Sequence, residues 1–192
     1  IYTACTDLIL LGMGGVETSK NTSNTYEHLP PCFHVSPLYF SLYRRWYGPG
    51  RIGRDFRPYQ AILTMHIWFL HKRLIQDKDD PYTAALIQEE LFDIFWLDTS
   101  NRMRAHGVNE WLIGKNLKPV QQYTFMHLFH YDHCYTGELL DDPESRLQEL
   151  KNLVKTHILL LRPDDVVSLK FHEDQSERIA WYIETQYQNI VH

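Results

Sequence analysis

Beyond residue 36, apolar residues recur every three to four positions through most of the chain, the period of an amphipathic α-helix. Ile62, Leu63, Met65, Ile67, Phe69, Leu70 and Leu74 fill adjacent rows of one such segment. A helix apolar round that much of its circumference belongs at the centre of a fold. Residues 83–106 predict the longest helix. They are nearly unbroken in apolar character over 91–97, with Glu89, Asp93, Ser100 and Arg104 on a polar face. Gly107 is placed where a left-handed residue stops a helix. The next helix is expected over 115–135, with Leu117, Val120, Leu128, Tyr131 and Tyr135 on one side. Proline is tolerated near a helix start, so Pro119 puts the first turn at 118–119. Asp142-Pro143-Glu144 is a strong start signal, an N-cap followed by proline and an acid. Leu147, Leu150, Val154, Ile158 and Leu161 then share one face. Asp174 and Glu177 have capping-box spacing and open a last helix carrying Ile179, Tyr182, Ile183, Tyr187 and Ile190. A shorter helix is expected after Ser36, with the stripe Tyr39, Leu42, Tyr43 and Trp46.

Residues 166–171 are the one strand-like stretch, and one strand makes no sheet. The pattern therefore predicts an all-α, single-domain bundle of about six helices over residues 37–192. An extended arm precedes it over 1–36, where glycines and a Ser/Thr/Asn run offer little to bury. Leu70, Leu91, Phe95, Leu128 and Leu150 are the expected core positions.

Length and charge refine this picture. A chain of 192 residues suits one domain, and a net charge of −5 argues against a protein that coats nucleic acid over its whole surface. One segment departs from the balance. Residues 44–57 hold Arg44, Arg45, Arg51, Arg54 and Arg57, interleaved with Trp46, Tyr47 and Phe56. Such a patch suits anionic lipid or ribosomal RNA, or else carboxylates elsewhere in the fold. Trp46 and Tyr47 are its expected aromatic anchors. No apolar run approaches the roughly 18 residues of a transmembrane helix. The cysteines Cys5, Cys32 and Cys134 are widely spaced and form neither a disulfide framework nor a zinc pattern.

The sharpest candidate for chemistry is His127, His130, His133 and Cys134, with Asp132 among them. Three residues advance a helix by roughly 300°, so these side chains drift apart round the axis. A helix surface with several uncoordinated histidines is the expectation, with no metal and no cofactor. His66 reads as a packed, hydrogen-bonded residue. Asp93 or Asp98 is expected to pair with Arg102 or Arg104. No nucleophile elbow, phosphate loop or Cys–His pair is present. A protein-binding module rather than an enzyme follows, with a metal-dependent helical enzyme a distant third reading.

Met65-His66-Ile67-Trp68 followed by Arg73-Leu74 resembles the histidine-bearing helix of the ubiquinol–cytochrome c chaperone family. Leu91-Phe92-Asp93 to Asp98, then Arg102, Arg104 and Gly107-Val108, looks like that family's next element. Ile113, Lys115, Leu117-Lys118 and Tyr131-Asp132 continue it in order, and the similarity covers about residues 60–160. The resemblance implies a mitochondrial, matrix-side protein, peripheral to the inner membrane, that helps assemble the cytochrome bc complex. It implies cytochrome b as the protein held, a small partner protein, contact with the mitochondrial ribosome, and no catalytic residues. His66, Trp68, Asp93, Asp98, Arg102 and Lys115 carry over as a binding surface. A permanent accessory subunit of a respiratory complex, the ATP synthase or the mitochondrial ribosome is the alternative on the same fold.

Overall fold

The computed structural model describes Trp46, Ile52, residues 55–161 and residues 169–191, without the side chains of 169–171 and 191. By its internal contacts the chain divides into Ile1–Arg51 and Ile52–His192. Trp46, in the first unit, is helical and buried. The arm over 1–36, the rest of the helix after Ser36, and Arg44, Arg45, Tyr47, Arg51 and Arg54 lie outside the described residues.

The second unit holds six α-helices among its described residues: α1 (Phe56–Ile75), α2 (Pro81–Ala105), α3 (Glu110–Cys134), α4 (Glu138–Asp141), α5 (Pro143–Leu153) and α6 (Leu169–Val191). A π-helical turn, Val154–Ile158, extends α5. No strand occurs among the described residues, and the class is all-α as the periodicity predicted. Helix α1 is central and packs against α2, α3, α6 and the π turn. Its residues Ala61, Thr64, Met65 and Trp68 are wholly buried. Leu63, Ile67 and Leu74 of α1 meet Ala84, Leu91 and Phe95 of α2 in one apolar cluster. Leu91, Phe95, Leu128 and Leu150 are buried as expected. Leu70 is half-buried at the edge of the α1–α2 cluster, because it sits on the side of α1 that turns from core towards solvent.

The helix ends follow from their local chemistry. Asp80 caps α2 by accepting from the Thr83 amide at 3.0 Å, with Pro81 in the first turn. Gly107 ends α2 at φ +82°. Its amide donates to the Arg104 carbonyl at 2.9 Å and that of Val108 to the Met103 carbonyl at 3.0 Å, the paired bonds of a Schellman stop. Asp142 accepts from the amides of Glu144 and Ser145, as its sequence announced.

Two boundaries and two short elements differ from expectation. Helix α3 starts at Glu110, where the Asn109 side chain accepts from the Trp111 amide, so Pro119 lies inside the helix rather than at its start. Helix α6 starts at Leu169, so the later part of the strand-like stretch is helical and Asp174 is an interior position rather than a cap. Short α4 and the π turn were not foreseen. The Leu159 amide donates to the Val154 carbonyl at 2.9 Å, and Leu160 then takes a left-handed φ of 53° to leave the helix. A wider turn of this kind carries an extra residue that must be accommodated, and here it brings Val154, His157 and Ile158 all inward.

Replacing Leu150 with alanine, where no surface is exposed, should cost about 2–5 kcal/mol in chemical denaturation. Leu70→Ala, at the half-buried edge, should cost less than Leu150→Ala in the same measurement.

Candidate functional site

Burial of α1 forces its polar atoms to find partners inside the protein. Near its start, the amide of buried Gln60 joins three helices. Arg102 of α2 donates from Nη2 to Gln60 Oε1 at 2.6 Å, while Gln60 Nε2 donates to Thr124 Oγ1 of α3 at 3.3 Å. The Arg102 Nε donates to Asp98 Oδ2 at 2.7 Å, a buried ion pair one turn apart on α2. Thr99 closes the group with a 3.4 Å bond to Gln60 Oε1. The Arg102 guanidinium also stands over the rings of Phe56 and Tyr59, at 5.3 and 4.9 Å from their centroids. These contacts are all internal, so the group fixes helix positions and presents nothing to a solvent-borne substrate.

A second group lies further along α1. Trp68 is fully buried between Tyr131, Tyr135 and Tyr187, with ring centroids 5.2–5.4 Å away. Its indole Nε1 donates to Asp132 Oδ1 at 2.6 Å, and Lys72 Nζ meets the same oxygen at 2.7 Å. His66 is partly buried. Its Nδ1 donates to the Ile62 carbonyl at 2.8 Å and its Nε2 accepts from the Tyr182 hydroxyl at 3.0 Å. That pairing fits a neutral ring, and burial holds its pKa below the ordinary histidine value. Helix α6 is tied by Arg146, whose Nε and Nη2 both meet Glu184, at 3.1 and 2.8 Å. Burial pushes the Glu184 carboxyl up, but hydrogen bonds from Arg146, Tyr135 and Gln188 outweigh it and leave the group below the carboxylate range. Cys134 is buried, and burial first, then the charge of Glu149, pushes its thiol up to about 12. A thiol so protonated is no nucleophile near neutrality.

The histidines are arranged otherwise than the sequence suggested. His133 is exposed, but His127 turns inward and is only 1 % exposed. It packs between the tilted rings of Tyr123 and His157, both with ring centroids 4.0 Å away, and neither of its ring nitrogens has a hydrogen-bond partner. His130 Nδ1 lies 3.2 Å from His157 Nε2. Histidine 157 comes from the π turn, which no periodicity in the sequence marked. Burial, followed by the neighbouring histidines, lowers His127 to about 3, and burial with His130 lowers His157 to about 4. Among the described residues no three His, Cys, Asp or Glu side chains are arranged to hold a metal ion.

The expected contact residues therefore scatter. Trp68, Asp98 and Arg102 are interior, where they tie helices together rather than face a partner. His66 is partly buried, and Asp93 and Lys115 are exposed on α2 and α3 respectively. The Asp98–Arg102 pair was legible from spacing. Gln60, Thr124, Arg146, Glu184 and His157 were not, because nothing local distinguishes a polar residue that will be buried by a distant helix.

Asp98→Ala should cost about 3–5 kcal/mol, since it strands a buried guanidinium, whereas exposed Asp93→Ala should change stability by no more than about 0.5 kcal/mol. Paired denaturation curves make the comparison. A pH dependence follows from the histidines. Their folded values lie below the ordinary 6.5, so the unfolded chain binds protons first as pH falls. Stability is full above about pH 6.5 and is lost progressively towards the folded values. The slope should be on the order of 1 kcal/mol per histidine for each pH unit. Urea titrations between neutral and mildly acidic pH should show the decline, and the H127F/H157F variant should flatten it.

The sequence pattern of the family described as Ubiquinol-cytochrome C chaperone matches residues 59–188, which begin beside Gln60 and include Trp68, Arg102, Asp132 and Glu184. Comparison with curated proteins and with solved structures finds no match. The matched span takes in both polar groups around α1 and covers about two-thirds of the chain, and the protein belongs to the ubiquinol–cytochrome c chaperone family.

Proposed function

We propose that this protein is a non-catalytic assembly chaperone that holds newly made cytochrome b during construction of the cytochrome bc complex. The observation that carries the reading is the family match over residues 59–188. It is supported by the character of the core, where Gln60, Asp98, Arg102 and Thr124 bond to one another across three helices. The buried ion pair holds helices together, and burial leaves the Cys134 thiol protonated near neutrality. In this reading the work is done by surfaces.

The proposal places the protein in mitochondria, on the matrix side, peripheral to the inner membrane. No described helix is long and apolar enough to cross a membrane. The basic segment 44–57 contributes Arg44, Arg45, Tyr47, Arg51 and Arg54 to the contact with the client or a small partner protein. Asp93 and Lys115 contribute from the helical unit, and His66 from the edge of its packing.

Affinity purification of the tagged protein from mitochondria, followed by native electrophoresis, tests this. Cytochrome b should co-purify in a species smaller than the mature bc complex, and loss of the protein should deplete the mature complex. Removing residues 1–36 should leave the client bound through the helical unit. Co-migration in fixed ratio with a mature complex would instead mark a permanent subunit and overturn the proposal.

A further inference from the structure

The outer face of α3 is unlike that of a solvated helix. At about 100° per residue, Trp111, Lys115, Lys118, Gln122, Phe125 and Phe129 fall within a wedge of about 80°. All six are exposed. Trp111 is 92 % exposed, Phe129 69 % and Phe125 54 %, and Met126 at the wedge's edge is 42 % exposed. The inward side of the same helix carries Ile113, Thr124, Leu128 and Tyr131, all buried. Helix α3 thus has an inner apolar face that the fold covers and an outer aromatic one that it leaves open. Trp96 of α2, with its ring 5.8 Å from Phe125, adjoins the open face.

Its charge is also out of keeping with the chain. The net charge is −5, yet the wedge carries two ammonium groups and no carboxylate. The carboxylates at the ends of α3 are engaged elsewhere, Glu110 with Arg104 at 2.7 Å and Asp132 with Lys72 at 2.7 Å. Asp93 is exposed on α2, one turn before Leu97, so the attractive charge lies at the Lys115–Lys118 end. From Trp111 to Phe129 the row runs about 27 Å along a single convex helix. A convex row without flanking walls suits a soft planar surface better than a knob that needs a pocket. Lysines beside Trp and Phe on an exposed helix face are the composition that lies at an anionic headgroup layer.

We propose that the outer face of α3 rests on an anionic membrane surface, Lys115 and Lys118 meeting the phosphate-bearing headgroups and Trp111, Phe125 and Phe129 entering the interface. The contact is superficial, since no described helix can span a bilayer. It deepens the peripheral inner-membrane placement proposed above and shares Lys115 with the client surface, and a test on vesicles that hold no protein reads it without the client.

Sedimentation of the full chain with vesicles tests it, comparing pure phosphatidylcholine with phosphatidylcholine containing about 30 % phosphatidylserine. Binding should favour the anionic vesicles and weaken as salt rises. K115E/K118E should lower the partition at least about tenfold, and F125S/F129S by a similar factor. All four positions are exposed, so circular dichroism and thermal unfolding should match the parent protein. Absence of anionic selectivity would overturn the proposal. So would vesicle binding that both variants leave unchanged, which would put the membrane contact elsewhere. A co-purifying protein lost from these variants while vesicle binding persists would make the face a protein interface instead.

Discussion

Across residues 58–70 no side chain of α1 is exposed, so each polar atom placed there must be answered inside the protein, by the helix's own backbone or by another helix. An unanswered buried amide or indole costs roughly 1–3 kcal/mol, enough to matter in a domain of ordinary stability. Gln60 is answered by Arg102 of α2 and Thr124 of α3, Trp68 by Asp132 of α3, and His66 by Tyr182 of α6. Apolar packing alone tolerates small slides between helices. Hydrogen bonds of 2.6–3.3 Å do not, and these set where each neighbour sits along the central helix.

The Asp98–Arg102 pair shows how that constraint shapes residue choice. A buried ion pair adds little stability over a well-packed apolar pair, but losing one partner is expensive. Arg102 does more than balance Asp98. Its planar guanidinium bonds Asp98 through Nε and Gln60 through Nη2, and lies over two rings. A lysine ammonium has neither the forked geometry nor the flat face for those contacts. Arg146 repeats the arrangement at α6, bonding Glu184 with two nitrogens while Nη1 donates to the carbonyls of Leu139 and Leu140. Short α4 is held by those last two bonds, which explains how four residues keep a helical form.

Among the described residues Cys134 and His127 are drawn inward, and the exposed side chains are what other molecules meet. The family match and the outer aromatic row of α3 bear on different sides of that question. The first concerns a polypeptide held for assembly; the second concerns where the holder stands. A helical unit braced by internal polar ties can bear exposed Trp and Phe side chains without collapsing onto them, because its core is already filled.

The sequence by itself determined the five longer helices of the second unit, their order and the family. Periodicity marks which face of a helix is apolar, and caps such as Asp142 and stops such as Gly107 act within a few residues. The resemblance carried by Trp68, Asp98, Arg102 and Asp132 was legible for the same reason, as residue types in an ordered series. Their burial was not legible, since a polar side chain has no local sign that a helix sixty residues away will cover it. Trp68 and Asp132 illustrate this: both stood out in the sequence, but only the packing of α1 on α3 joined them. Helical spacing argued that His127 and His133 diverge, and they do. It could not supply His157, because a π turn and a crossing between distant segments brought that ring to His127. Local chemistry set the elements; the pairing of distant faces decided what each side chain touches.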